Sequence, residues 1–201
     1  MISSRNSEIC AVVLAGGKSS RLGRDKARVV INGRTLLERT LSLAAGVCSR
    51  TYCVGRNTDF QGINSGWMLD EVPGLGPMGG IVTALKTLDS PCLVLACDLP
   101  LLDRALITRL LEYRETHGKD KYLTTFKRRT TGFIEALVSV YEPRSLGLLK
   151  TSISRGCYQL SRAIPEEYRC HIHYGPEEEK YFYNVNYPQD LDKLKQLVST
   201  G

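Results

Sequence analysis

A glycine-rich, basic segment at residues 14–26 (LAGGKSSRLGRDK) is the part of the sequence best suited to chemistry. Gly16 and Gly17 let the backbone turn tightly, so that its N–H groups can converge on an anion such as a phosphate. Arg21 offers a forked donor to the same anion, and Lys26 offers a point charge. The spacing differs from that of the Walker loop and of the dinucleotide-binding Gly-x-Gly-x-x-Gly loop. The pattern predicts a phosphate-binding loop; the alternative is a polar turn with incidental basic residues.

A second segment, residues 70–80 (DEVPGLGPMGG), is dominated by glycine and proline. Such a loop, with Gly76 in it, can bring its backbone against a flat ligand such as a purine base, because few side chains intervene. Asp70 can accept hydrogen bonds from the ring N–H and the exocyclic amine of a guanine. The alternative is a long connection with a solvent-facing aspartate.

A third candidate, Asp98, follows the apolar run CLVLAC directly. A carboxylate at the C-terminal end of a buried parallel strand lies where open α/β folds bind their ligands. Magnesium takes one or two carboxylates and completes its shell with phosphate oxygens and water. Asp98 is therefore a predicted Mg²⁺ ligand. The alternative is a helix N-cap, a role for which Asp103 is better placed.

The fourth motif is YNVNYP, residues 183–188. Alternation along a short strand would place Asn184 and Asn186 on the same face. Two amides that face one way can complete the shell of a metal or a phosphate. Asparagines before a helix are also common turn and cap residues, which is the alternative.

The elements that must position these motifs alternate between strand and helix in the first half of the chain. The apolar, β-branched runs and the helical spacing of apolar residues give the predictions. Strands are predicted at residues 9–15, 51–55 and 92–97, and helices at residues 35–45 (with Thr35 as cap), 78–88 and 102–113. This alternation predicts an α/β, Rossmann-like fold with a mostly parallel central sheet and helices on both faces.

The second half is richer in strand-like runs. Residues 122–126 and 133–141 flank the polar segment KRRTTG and predict a hairpin. Shorter runs at 170–174 and 181–185 predict further strands, and Pro188 opens a last helix that reaches about residue 198. We expect a single domain over residues 1–201, with a nucleotide-binding half at about 9–120 and a smaller, β-rich acceptor-binding half at about 121–201.

With the four motifs in this order, the chain resembles the molybdenum cofactor guanylyltransferases, the MobA-like NTP transferases of the GT-A-like nucleotidyltransferase superfamily. LAGGKSSRLGRDK, D-x-x-PGLGPMGG, ACDLP and NVNYP match the motifs of that family in sequence and spacing. Where the family often has an asparagine at the tip of the second strand, this chain reads YCVGRN, with Asn57. The nucleotide site that the resemblance and the motifs imply consists of Leu14, Ala15, Gly16, Gly17, Lys26, Asn57, Asp70, Gly76 and Asp98.

The resemblance implies transfer of GMP from GTP to the phosphate of molybdopterin, with release of pyrophosphate and with Mg²⁺ on Asp98. Arg21, Lys26 and Asp98 are the expected catalytic residues. The attacking phosphate is already ionised, so no general base is needed. Arg155, Asn184 and Asn186 are expected on the acceptor side, where Glu135 is a further candidate for the pterin ring N–H groups or else a solvated carboxylate. The implied partners are GTP, molybdopterin, proteins that deliver the pterin, and the molybdoenzymes that receive the product.

Other functions remain open at this point. A related enzyme would use CTP on the same pterin or GTP on a sugar phosphate, and a non-catalytic nucleotide-binding module would not need Lys26 and Asp98. The net charge of +6 also suits a nucleic-acid binder. The basic cluster at residues 127–129 lacks the interleaved aromatic residues that single-strand binding requires, so we expect no nucleic acid.

The cysteines, the first residues and the apolar runs of the sequence indicate in which cellular compartment the protein is expected. The seven cysteines include no Cys-x-x-Cys pair and are expected to be reduced, mostly buried thiols; the alternative is a metal or redox site. The polar start, MISSRNSE, differs from a signal peptide, and no apolar run approaches the ~20 residues that span a bilayer. We therefore expect a cytoplasmic protein without a membrane partner.

Overall fold

The computed structural model describes residues 6–16, 25–57, 63–72 and 74–199. The strands are β1 (Asn6–Leu14), β2 (Val30–Ile31), β3 (Arg34–Thr35), β4 (Cys48–Val54), β5 (Gly66–Met68), β6 (Cys92–Ala96), β7 (Leu123–Arg128), β8 (Ile134–Tyr141) and β9 (Arg169–Tyr174). The α-helices are α1 (Leu36–Val47), α2 (Pro77–Leu88), α3 (Arg104–Tyr113), α4 (Leu146–Ser154), α5 (Leu160–Ala163) and α6 (Pro188–Ser199). Short 3₁₀ helices cover Lys26–Arg28, Pro143–Ser145, Glu166–Tyr168 and Pro176–Phe182, and a π-helical turn, Arg114–Gly118, continues α3.

Seven of these strands form one twisted sheet in the order β5-β4-β1-β6-β8-β7-β9. The pairs β5–β4, β4–β1, β1–β6 and β7–β9 are parallel, whereas β8 runs antiparallel to β6 and β7. The predicted mostly parallel sheet is confirmed. The strands of the β-rich second half extend this same sheet, and the predicted hairpin is the antiparallel pair β7–β8.

Helices cover both faces of the sheet, as the fold class predicts. Successive side chains of a strand point to opposite faces. Ile9, Ala11 and Val13 of β1 pack in the apolar cluster with α1 and α3, while Val12 packs in the one with α2 and α4. All residues of β6 are buried, which explains why its sequence is continuously apolar instead of alternating.

Two helices begin at the predicted caps. Thr35 forms a capping box with Glu38: its Oγ1 accepts from the Glu38 N–H at 3.1 Å, and Glu38 Oε2 accepts from the Thr35 N–H at 2.7 Å. The Asp103 carboxylate accepts from the Leu106 N–H at 2.8 Å and caps α3. Because Asp103 fills this role, Asp98 is left for another one.

The predicted strand at residues 181–185 is wrong. Aromatic residues of this run end a 3₁₀ helix, Pro176–Phe182, and the residues that follow it, 183–186, belong to no strand. The N–H of Val185 donates to the carbonyl oxygen of Asp98 at 2.9 Å, so this segment is attached to the tip of β6 and not to a strand edge. The alternation argument for Asn184 and Asn186 therefore fails.

All seven cysteines are free thiols, as expected; five are buried, and Cys97 and Cys157 are half-buried. Burial raises the pKa of the Cys97 thiol to about 12, so this thiol is neutral and not a reactive thiolate. Over the residues that the structure describes, none of the helices combines the length and the apolar character that crossing a bilayer requires.

Candidate active site

A pocket of about 670 Å³ opens at the edge of the sheet where the parallel strands β1, β4 and β6 end. This is the edge at which open α/β sheets bind ligands. The pocket brings together residues of the first three motifs, which are far apart in the sequence. The predicted site residues that line it are Leu14, Ala15, Gly16, Lys26, Asp70, Gly76 and Asp98.

The tips of β1 and β4 approach each other so closely that only glycine fits there. Gly55 has φ +96°, and a Cβ on it would lie 2.5 Å from the Cα of Gly16. A Cβ on Gly16 would lie 3.4 Å from Oδ2 of Asp70. The backbone at the end of β1 is therefore free of side chains and faces a carboxylate across the pocket.

The N-terminal end of α2 forms another side of the pocket. Gly76 (φ +60°) precedes this helix, no side chain caps it, and Pro77 is its first residue. A Cβ on Gly80, in the first turn, would lie 3.3 Å from Oδ1 of Asp70. Burial raises the pKa of the Asp70 carboxyl above its usual value. The Asp70 carboxylate thus lies directly beside the backbone of Gly16 and Gly80.

Lys26 and Asp98 form the charged part of the pocket. Lys26 Nζ lies 3.4 Å from Asp98 Oδ2 and also donates to the side-chain oxygen of Asn186. The two charged side chains are only 22% and 20% exposed. Burial raises the pKa of the Asp98 carboxyl, and the nearby ammonium of Lys26 offsets that effect only in part. A partly desolvated carboxylate and an ammonium therefore face each other at the end of β6.

The donor atoms at this end of the pocket suit Mg²⁺. The Asp98 carboxylate and the Asn186 carbonyl are hard oxygen donors on either side of the Lys26 ammonium. Within the described residues, no group of three or more His, Cys, Asp and Glu side chains is arranged to hold a metal by itself. One carboxylate with room for phosphate oxygens is the arrangement in which Mg²⁺ is usually bound.

Arg56 and Asp25 belong to the same end of the site, although the sequence motifs do not single them out as site residues. Arg56 Nη1 and Nη2 donate to Asp25 Oδ2 and Oδ1 at 2.7 and 3.1 Å, and Arg56 Nε donates to the carbonyl oxygen of Ala15 at 2.9 Å. The hydrogen bond from Arg56 holds the pKa of the Asp25 carboxyl below its usual value. The two residues are 31 positions apart, so no local spacing signals the pair.

The other predicted site residues are not among the described residues that line this pocket. Gly17 and Arg21 fall outside the described residues. Asn57, Asn184 and Arg155 are exposed and do not line the pocket, so their roles stay predictions.

Glu135, the other acceptor candidate, is half-buried and accepts a hydrogen bond from the Tyr174 hydroxyl. Burial raises the pKa of its carboxyl. Leu137, another residue of β8, lines the pocket at the end of β6. No sequence motif singles it out.

Comparisons with known proteins agree with this architecture. The family model described as "MobA-like NTP transferase domain" matches residues 11–168. A probable molybdenum cofactor guanylyltransferase of Thermococcus gammatolerans is 32% identical, with 90% of this chain and 96% of that protein covered. A molybdenum cofactor biosynthesis bifunctional protein of Synechocystis is 28% identical over 91% of this chain, which spans 52% of that longer protein.

A solved structure shows the same fold. The crystal structure of the molybdopterin-guanine dinucleotide biosynthesis protein A of Archaeoglobus fulgidus superimposes with a TM-score of 0.75 at 23% identity. The superposition covers 96% of this chain and 100% of the other. The predicted fold class is confirmed.

Proposed function

The chain belongs to the MobA-like NTP transferase family, and we propose that it transfers GMP from GTP to the phosphate of molybdopterin and releases pyrophosphate. The observation that carries this proposal is the pairing of Lys26 with the half-buried carboxylate of Asp98 at the strand edge, in the pocket that the backbone of Gly16 also lines. Relatives of similar length carry the corresponding name, as in Thermococcus gammatolerans. Proteins that deliver the pterin and molybdoenzymes that accept the product are the further partners that this activity needs.

We assign the guanine to the side of the pocket formed by Asp70 and the start of α2. A carboxylate can accept from both the ring N–H and the exocyclic amine of guanine, whereas adenine and cytosine lack that pair of donors. Gly16 and Gly80 lie next to the Asp70 carboxylate, and neither has a side chain that would stand between this carboxylate and a base. The base is then held by a charged acceptor, and the triphosphate extends towards Lys26.

We assign Mg²⁺ to Asp98, with the side-chain oxygen of Asn186 nearby. When bound, the ion supplies positive charge to the phosphate oxygens. The residues of the chain supply the rest: Lys26 binds a phosphate oxygen and holds it close to Asp98, and the backbone of Ala15 and Gly16 lies against the nucleotide. We propose that Gly17 and Arg21 extend this loop around the phosphates.

The proposed reaction requires positioning and charge neutralisation, and no proton transfer. An oxygen of the ionised acceptor phosphate forms a bond to the α-phosphorus of GTP while the bond from that phosphorus to the bridging β-phosphate oxygen breaks. Pyrophosphate leaves with that electron pair. The acceptor must approach a triphosphate that is already negative, so nearby cations lower the barrier.

We propose that the acceptor binds beside this pocket, near Asn186, Asn184 and Arg155. Asn186 supports this directly because it contacts Lys26. Ser161, shortly after Arg155 in the chain, shares a second pocket with Phe133 of the β7–β8 turn. That turn lies at the edge where β6 ends, since β8 begins beyond the end of β6. Arg155→Ala should therefore raise the KM for the acceptor and leave the affinity for GTP unchanged.

The decisive test is turnover with purified molybdopterin, Mg²⁺ and each of GTP, CTP and ATP, measured as pyrophosphate release and dinucleotide product. We expect the dinucleotide product when GTP is the nucleotide, and none when CTP or ATP replaces it. Product with CTP alone would identify a cytidylyltransferase instead. A thermal shift gives an independent readout, because a ligand at 100 times its Kd stabilises the native protein by about 2.7 kcal/mol. A protein that neither turns over nor is stabilised by GTP with Mg²⁺ contradicts the proposal.

A further inference from the structure

We propose that Arg56 is a positioning residue that joins the two ends of the glycine-rich segment and thereby determines where Lys26 meets the phosphates. The inference rests on the proposed function, since it concerns the binding of GTP. It concerns Ala15 and Asp25, which lie shortly before and directly after residues 17–24, and the side chain that connects them.

One guanidinium makes three hydrogen bonds to these two ends. Its Nε donates to the carbonyl oxygen of Ala15 at 2.9 Å, and its two terminal nitrogens donate to the two oxygens of Asp25 at 2.7 and 3.1 Å. A guanidinium is planar, and its donors point in fixed directions. The separation of Ala15 from Asp25 is therefore set by the shape of a single rigid group.

Arg56 is itself held by the sheet. It follows Gly55, whose N–H donates to the carbonyl oxygen of Met68 at 2.9 Å and whose Cα packs against Gly16. The Ala15 N–H donates to the carbonyl oxygen of Val54, also at 2.9 Å. The guanidinium thus extends from a fixed position just beyond the end of β4 across to both ends of the segment.

Arg56 affects the position of Lys26 through Asp25. Asp25 Oδ1, which Arg56 holds, also accepts from the Ala27 N–H at 3.1 Å and caps the 3₁₀ helix Lys26–Arg28. Ala27 is buried, so this short helix is fixed on its inner side. A lysine side chain is long and flexible, and the position of its ammonium depends on a fixed backbone. Without the Arg56–Asp25 pair, we expect Lys26 to spend less time between Asp98 and Asn186.

Arg28 provides a matched control, because it pairs with the same carboxylate. Its Nε lies 3.7 Å from Asp25 Oδ2, and its side chain is 85% exposed, compared with 26% for Arg56. An exposed pair of this kind contributes little. If a positive charge near Asp25 were all that mattered, the two arginines would be equivalent.

The experiment compares Arg56→Gln, Asp25→Asn and Arg28→Gln with the parent protein in the affinity for GTP with Mg²⁺, the KM for molybdopterin and the denaturation midpoint. Hydrogen bonds to charged groups are worth about 1.5–3 kcal/mol, so we expect Arg56→Gln and Asp25→Asn each to weaken GTP binding about tenfold or more. The KM for molybdopterin should stay the same in these two variants. The Arg28→Gln variant should bind GTP with the affinity of the parent protein. The double variant that combines Arg56→Gln with Asp25→Asn should bind GTP no more weakly than either single variant, because each of the two substitutions removes the same contact.

Each outcome separates the possible explanations. A parent protein that does not bind GTP contradicts the proposed function and not the role of Arg56 alone. If the parent binds GTP and Arg56→Gln matches Arg28→Gln, the positioning role is wrong. If Asp25→Asn tightens GTP binding while Arg56→Gln weakens it, Arg56 is a direct phosphate ligand that Asp25 competes for, which also overturns the proposal. Should Arg56→Gln lower the denaturation midpoint, Arg56→Lys makes the same comparison: it keeps the charge, cannot hold both ends, and should still bind GTP weakly.

Discussion

Replacing Asp98 with asparagine removes one negative charge and changes almost no volume. Its carboxylate faces Lys26 at 3.4 Å, is four-fifths buried, and stands where the proposed Mg²⁺ and phosphates meet. Loss of one preorganised charged contact of this kind costs about 10²–10³ in turnover. We therefore expect Asp98→Asn to reduce pyrophosphate release by that factor at limiting Mg²⁺.

The same variant should fold at least as well as the parent. The lost ion pair is half-buried, and the side-chain oxygen of asparagine can still accept a hydrogen bond from the Lys26 ammonium. Burial raises the pKa of Asp98, so in the window between the unfolded and folded pKa values the native state binds more protons, and stability falls as pH rises through that window. At neutral pH the ionised Asp98 is therefore a cost to folding, which asparagine removes. The free energy of unfolding, measured by denaturation with a metal chelator present at pH 4 to 7, should depend less on pH in the variant than in the parent.

Asp103→Asn is the control for this experiment. Asp103 follows the same strand and caps α3 through the Leu106 N–H, and asparagine is an equally good cap. Its turnover should equal that of the parent. A well-folded Asp98→Asn protein with the turnover of the Asp103→Asn control would refute the assignment of Asp98 to the catalytic site.

Three further variants test other parts of the pocket. Lys26→Ala should weaken GTP binding about 10- to 100-fold with little change in the denaturation midpoint, because it removes a charged hydrogen-bond donor, whereas the exposed Lys86→Ala should alter neither. Gly55→Ala should lower the free energy of unfolding by at least about 2 kcal/mol, measured by denaturant titration, since strain and a backbone clash add. Gly33→Ala, with φ +77° but open space, should cost only about 1 kcal/mol, and equal losses would contradict the clash. Asp70→Asn should lower the preference for GTP over ATP about tenfold in competition binding, and an unchanged preference would place the guanine elsewhere.

The parts of this protein that could be predicted are those that depend on neighbours in sequence. The run CLVLAC is buried on both faces, so β6 was predicted almost to the residue, and Asp98 follows from where that strand ends. The Thr35–Glu38 capping box is likewise a local pattern. Glycines at the tips of strands predicted a close approach to a ligand, and three of the four motifs line one pocket.

The contacts that could not be predicted join distant parts of the chain. Arg56 meets Asp25 because β4 lies beside β1, and Lys26 meets Asn186 across 160 positions. The 181–185 run has a strand-like composition, but its buried Phe182 and Val185 are covered by tertiary packing and not by strand pairing. In residues 181–185, tertiary packing therefore overrides the strand propensity of the individual residues.

The balance of charge in the pocket supports the proposal that a metal ion and further cations take part in nucleotide binding. Among the described lining residues, Asp25, Asp70 and Asp98 are acidic and Lys26 is basic, and Arg56 neutralises Asp25. Two carboxylates facing one ammonium repel a triphosphate, so these residues by themselves cannot account for binding of a polyanion. We propose that the additional positive charge comes from Mg²⁺ on Asp98 and from residues 17–24, whose sequence contains two arginines and a lysine. The cations of that segment act only if its two ends are held at the pocket, which is the role that we infer for Arg56.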